Sequence, residues 1–221
     1  MLFRSVADVM ARFSRAQSFI EGLLLKKWDQ LAAISGRDPV FSQDGNKGIF
    51  WCFDNNEPYS PGYLIWKDRT TGQAKYLGVS SSDRYARNPH SGLFALSYYT
   101  DLTAFNINTG EAAAGGPRFD FGSRLMNGDP ERVIRAIGYD GFADRYAVVW
   151  SRNPYGEQNL EQKLFLDVFD AGGEFQKSID TGLVIRASYK NYPVTSRLDF
   201  TADGRAQADF LDQRLDLAYL K

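Results

Sequence analysis

Phe41-Ser42-Gln43-Asp44-Gly45 and Phe200-Thr201-Ala202-Asp203-Gly204 share one order: an aromatic, a hydroxyl residue, a spacer and then Asp-Gly. Glycine after Asp supplies the positive φ that a tight hairpin needs, so each stretch marks a reversal between two strands. Tyr139-Asp140-Gly141 is a shorter version of the same device. Asn88-Pro89-His90-Ser91-Gly92 occupies the equivalent place before Leu93-Phe94-Ala95-Leu96-Ser97. Gly45, Gly92, Gly141 and Gly204 lie 47, 49 and 63 residues apart, a loosely kept period.

A second turn follows in three of the four units. Leu64-Ile65-Trp66-Lys67-Asp68-Arg69-Thr70-Thr71-Gly72-Gln73, Ala104-Phe105-Asn106-Ile107-Asn108-Thr109-Gly110-Glu111 and Leu166-Asp167-Val168-Phe169-Asp170-Ala171-Gly172-Gly173-Glu174 each run from an apolar strand into an Asp/Asn turn closed by Gly and a polar residue. Between these turns lie short runs of aromatic and β-branched residues, the composition of strands. They are Ile49–Phe53, Tyr63–Lys67, Ala74–Val79, Leu93–Tyr98, Thr103–Asn108, Arg132–Ile137, Tyr146–Trp150, Lys163–Phe169, Glu174–Ile179, Leu183–Ala187, Arg197–Phe200, Ala206–Phe210 and Leu215–Leu220.

Together the two turns resemble the blades of WD40-like β-propellers, where one hairpin precedes a strand ending in an aromatic and a second carries a Thr-Gly turn. Such blades run about 40–45 residues, so the resemblance, which covers residues 39–221, implies about four of them. From Pro39 onward the chain holds neither the Gly-His nor the Trp-Asp dipeptide of WD40 repeats. The last unit ends at Leu215–Leu220 without an evident fourth strand. The expected fold is therefore mainly β: an N-terminal α-helix followed by antiparallel hairpin repeats, either propeller-like or an open twisted array whose free edge must be charged, covered or paired.

Ahead of the repeats, Ser5 suits an N-cap, and Val6, Met10, Phe13, Ile20, Leu24, Trp28 and Leu31 recur at helical steps. The spacing predicts a helix from about Val6 to Ile34, bent or divided at Gly22, capped by Gly36 and ended before Pro39. Phe19, Leu23 and Leu25 broaden the apolar face. Residues 1–38 are accordingly read as a helical segment packing on the body, with contact to a partner as the alternative, and residues 39–221 as the hairpin domain.

Composition narrows the function classes. The 26 Lys+Arg against 27 Asp+Glu leave a net charge of −1, which gives no global field for nucleic acid, so nucleic acid is not the expected partner. The apolar run Leu23-Leu24-Leu25 is far short of the roughly 20 residues of a spanning helix, so no membrane partner is expected. The basic, Ser-containing opening through Ser18 also resembles a mitochondrial presequence; the cytoplasm is the expected compartment. One cysteine, Cys52, excludes an internal disulfide and fits a reducing milieu.

Residues able to carry chemistry are few. His90 is the sole histidine and falls in a turn, where a solvated side chain is the ordinary reading. Cys52 sits between Trp51 and Phe53 with no basic neighbour to activate it. Asp44, Asp68, Asp140, Asp170 and Asp203 stand where turns need them, and Asp54-Asn55-Asn56-Glu57 is oxygen-rich without the spacing of an EF-hand. No phosphate-binding glycine loop occurs. No catalytic, cofactor or metal residue is therefore assigned.

Tyr59, Tyr98, Tyr99, Tyr155, Tyr189 and Tyr192, with Arg84, Arg87 and Arg152, make up the Tyr/Arg mixture enriched in protein-binding patches. The expected function is a non-enzymatic protein-binding module that inhibits or sequesters a specific protein, such as a bacterial toxin met by its immunity protein. The alternatives are a carboxylate-based glycan hydrolase, which the propeller resemblance implies, and a structural subunit of an assembly.

Overall fold

The N-terminal helix forms because its apolar residues recur on one side, and it divides where they change partner. In the computed structural model, which describes residues 6–56, 62–79, 85–98, 101–112, 132–152, 160–187, 198–210 and 213–220, it is two helices, α1 (Val6–Leu25) and α2 (Trp28–Ile34). The division falls at Lys26 and Lys27 and not at Gly22, which stays helical. The Lys27 amide donates to Gln30 Oε1 at 2.8 Å, starting α2 afresh. Gly36 is not the left-handed cap expected of it, because α2 ends in extended backbone at Ser35. Instead, Gly36 donates its amide to the Trp51 carbonyl at 2.9 Å, and a Cβ there would lie 2.5 Å from the Phe53 ring.

The rest of the described chain is mainly β, in four antiparallel sheets whose strands follow one another in sequence order. The first holds β1 (Val40–Phe41), β2 (Lys47–Cys52), β3 (Tyr63–Asp68) and β4 (Ala74–Val79). The second holds β5 (Tyr85–Arg87), β6 (Leu93–Tyr98), β7 (Asp101–Asn106) and β8 (Glu111–Ala112). The third holds β9 (Arg132–Asp140), β10 (Arg145–Arg152), β11 (Leu160–Asp170) and β12 (Phe175–Ala187), and the fourth β13 (Leu198–Phe200), β14 (Arg205–Phe210) and β15 (Gln213–Tyr219). Among the described residues no sheet closes on itself, and the last sheet has three strands.

One difference from the sequence reading lies in β12, where two expected strands are one. Lys163 pairs with Val184 and Phe165 with Asp180, so Thr181-Gly182-Leu183 bulges out opposite Leu164. Gly182 takes a φ of 69° there, and the Thr181 hydroxyl donates to the Leu164 carbonyl at 2.7 Å.

Contacts divide the chain into two compact units: Met1–Ser81 with Ile107–Glu111, and Ser82–Asn106 with Ala112–Lys221. In the first unit the helices cover one face of the first sheet. Leu23 and Leu31 pack on Phe50, Cys52, Tyr63 and Ile65, flanked by Phe19, Ile20 and Trp28. On the same sheet, the Trp66 indole donates to the Ile107 carbonyl at 2.7 Å. Gly110, at φ 64°, lies so close to this ring that a Cβ would sit 2.4 Å from it.

The second unit is built around the third sheet, whose central strand β10 is buried on both faces. Tyr146, Val148 and Trp150 pack toward Ala86, Leu93 and Ala95 of the second sheet. The alternate residues Ala147 and Val149 pack toward Leu198, Ala206, Ala208 and Leu217 of the fourth. β13 crosses close to β9 because Gly138 is there: a Cβ at 138 would lie 2.6 Å from the Leu198 carbonyl oxygen. A bulge in β9, with Val149 paired to Ala136 and Trp150 to Ile134, makes Arg135 the extra residue. Its guanidinium is buried, with Nε donating to Ser151 Oγ at 2.8 Å and Nη2 to Gln162 Oε1 at 2.6 Å.

Candidate functional site

The four turns that join the first two strands of each sheet are built by two local devices. In the first and last sheets a hydroxyl holds an aspartate: Ser42 Oγ donates to Asp44 Oδ1 at 2.6 Å, and Thr201 Oγ donates to Asp203 Oδ1. With the Ser42 hydroxyl on it and the Asn46 amide at 3.1 Å, the Asp44 carboxyl is held down at a pKa of about 2. Asp203 is lowered likewise, chiefly by Thr201 and Arg205. In the middle sheets an Asx side chain closes the turn. Asn88 Oδ1 accepts the His90 and Ser91 amides, and Asp140 Oδ1 accepts the Phe142 amide at 3.0 Å.

Backbone angles correct the sequence reading of the third turn. The left-handed residues of the four turns are Gly45, Gly92, Asp144 and Gly204, with Asp144 at φ 46°. Gly141 is not left-handed, because the turn runs four residues on from Asp140 before it reverses. The repeat positions are therefore 45, 92, 144 and 204, spaced 47, 52 and 60 residues. A non-glycine residue takes this conformation only where its surroundings hold it there.

Those surroundings form a connected polar cluster in the second unit. Asp144 Oδ1 accepts the Tyr139 hydroxyl and, at 3.1 Å, the Asn88 side-chain amide from the neighbouring sheet. Asp140, 1% exposed, accepts Arg145 Nε at 2.8 Å, and Arg145 Nη1 donates to the Leu220 carbonyl at 2.7 Å. The Tyr146 hydroxyl donates to the Leu93 carbonyl at 3.1 Å. Burial first, and then the bond to Asp144, push the Tyr139 phenol well above the usual tyrosine range; burial does the same for Tyr146. Both stay neutral donors. In the same turn stands Phe142, 67% exposed, its amide donating to Asp140 Oδ1.

Three of the nine sequence-derived binding residues fall within the described elements. Tyr59, Arg84, Tyr99, Tyr155, Tyr189 and Tyr192 lie outside the described residues. Tyr98 ends β6 and Arg152 ends β10, at the strand ends away from these turns, and their side chains are outside the description. Arg87 is half-buried at the end of β5 and precedes Asn88 in sequence. His90 is exposed in its turn. Cys52 is buried, and desolvation pushes its thiol up to about 11, which leaves it a packing residue with little thiolate.

Asp54 Oδ1 accepts the Asn56 amide at 3.0 Å, a local turn bond. Among the described residues no three His, Cys, Asp or Glu side chains converge as a metal group would require. Sequence reasoning missed Phe142, Tyr139 and Asp144. The signal available was the aromatic Tyr139 before Asp140, which parallels Phe41 and Phe200 at the other turns.

No family model matches the chain, and no curated protein matches it. Solved structures do. A member of the DUF4221 family from Bacteroides vulgatus is 8% identical, with a TM-score of 0.42 over 77% of this chain and 56% of that one. The acylaminoacyl peptidase of Pyrococcus horikoshii is 12% identical, with a TM-score of 0.43 over 83% of this chain and 29% of that one. The β-propeller domain of the Trilobed protease from Pyrococcus furiosus, described as having an open velcro topology, is 12% identical, with a TM-score of 0.40 over 80% and 65%. This chain thus spans between 29% and 65% of the length of these three. The fold itself stands on the sheets and registers above.

Proposed function

We propose that this chain is a non-enzymatic protein-binding module, and that the turn end of its second unit is a docking surface anchored on Phe142. The observation that carries the reading is a large aromatic, 67% exposed, on a turn held by Asp140, Arg145, Asp144, Tyr139 and Asn88. Exposed aromatics on pre-ordered supports lose little conformational entropy on binding, which is why such residues carry most of an interface's energy. In this reading the turn carboxylates serve geometry: Asp44, Asp68, Asp140, Asp170 and Asp203 each accept bonds within their own turns. The narrower proposal is that the partner is a protein which this chain inhibits, such as a bacterial toxin.

The test is recovery of a stoichiometric partner from the native host on the tagged chain, repeated with Phe142→Ala. Loss of the partner with the variant, its folding intact by circular dichroism, is the expected result. Recovery of the same partner in the same yield by both proteins rules the surface out.

A further inference from the structure

Lys67 is 7% exposed, and among the described residues its ammonium meets no hydrogen-bond or ion-pair partner. Every other buried polar or charged residue described makes at least one side-chain hydrogen bond. A cation stripped of most of its water costs stability unless a counter-charge meets it.

The strand register explains why none does. Tyr63, Ile65 and Lys67 alternate onto one face of β3, the face that Leu23 and Leu31 of the helices cover at Tyr63 and Ile65. Directly across from Lys67 stand Gly48 on β2 and Ala74 on β4, neither with a side chain able to pair with it. Trp28 and Phe41 fill the space over Gly48, since a Cβ there would lie 3.0 Å from each ring. Asp68 points to the opposite face by the same alternation, and its Oδ1 accepts the Thr70 and Thr71 amides.

A second cation stands beside the first. Arg69 extends the ladder, its amide donating to the Asn46 carbonyl at 2.7 Å, and its exposed guanidinium lies 5.9 Å from the centre of the Trp28 ring. Trp28 therefore places Arg69 on the face that carries Lys67. Among the described residues no carboxylate meets this guanidinium. Two residues along a strand span roughly 7 Å, so two long side chains reach one small anion between them. A carboxylate would leave one of the two charges unmet. A phosphate group carries about −2 near neutral pH and offers three acceptor oxygens, enough for a guanidinium fork and an ammonium together.

We propose that Lys67 and Arg69 bind a phosphate group where β3 runs into its turn, beside Trp28. The site belongs to the first unit and is independent of the Phe142 surface, which belongs to the second.

The experiment is calorimetric titration of inorganic phosphate into the full chain, with chloride at matched ionic strength as the reference. One saturable site per chain is expected. Lys67→Met should abolish it, and in chloride this variant should unfold at a higher urea concentration than the wild type, because methionine fills the space without a charge. Arg69→Gln, at an exposed position, should keep the wild-type unfolding midpoint and weaken phosphate about tenfold, which keeps the test open where Lys67→Met fails to fold. Phosphoserine in place of inorganic phosphate separates the two sources of the group: tighter binding than the free ion assigns a phosphorylated protein chain, and weaker binding assigns the ion itself. No saturable heat with either probe overturns the proposal. Equal binding by wild type and Lys67→Met, or by wild type and Arg69→Gln, overturns it as well.

Discussion

Arg135 places a guanidinium in the interior of the second unit, where a charge is tolerated only with its donors engaged. Ser151 Oγ and Gln162 Oε1 take two of them, and Ser151 in turn donates to Gln162 at 2.8 Å, so three adjacent strands share one polar group. Arg135→Ala should cost about 3 kcal/mol of unfolding free energy, because it leaves two buried side chains with lost bonds and a cavity. Urea unfolding measures it. A change of a few tenths would mean that water replaces the guanidinium. Nothing in the sequence marks Arg135 as buried, since its neighbours Ile134 and Ala136 read as an ordinary strand and a bulge has no local signature. Asp144 is hidden for the same reason. Its left-handed backbone depends on Asn88 from another sheet, a contact that no sequence window contains.

At the scale of single elements, the hairpin turns are legible because their chemistry is local. Ser42 with Asp44, and Thr201 with Asp203, act within two residues of each other, and both turns form where the sequence places them. Their acids also set a pH dependence. Asp44 is lowered from 3.8 to about 2 in the folded protein, and a depressed carboxyl contributes stability that is complete above the unfolded value and lost as pH falls through the folded one. Unfolding free energy from denaturant titrations should therefore drop between about pH 4 and pH 2. Asp44→Asn should remove its share of that slope. An unchanged slope in the variant would deny Asp44 the role.

Edge elements are less legible. β1, β5 and β8 are two or three residues long, too short to show an alternation, and they were not anticipated. The helix presents the opposite case. Its period is plain, but the break at Lys26–Lys27 follows from where Trp28 must sit, its ring 5.1 Å from Phe50 and 5.6 Å from Phe41, and so from tertiary packing.

At the scale of the whole molecule, order should follow burial. Within the second unit, β10 and the adjoining part of β11 are covered on both faces, whereas β5 and β13 are three-residue edge strands. Hydrogen exchange should accordingly be slowest at Ala147–Val149 and Leu164–Val168, and fastest at the short edges. Fast exchange along β10 would contradict the packing of the third sheet between its neighbours. The proposed binding site is only partly legible at this scale. Tyrosines and arginines can be counted along a chain, but which aromatic stands exposed on a fixed support depends on bonds between sheets. Phe142 is a single aromatic in a turn, with no period to reveal it.

The central claim is that Phe142 on its held turn carries partner binding. The most direct measurement is the affinity of the recovered partner for the wild-type chain and for Phe142→Ala by titration calorimetry. A loss of about 2 kcal/mol or more, roughly thirtyfold in Kd, is the predicted result. Equal affinities would contradict it.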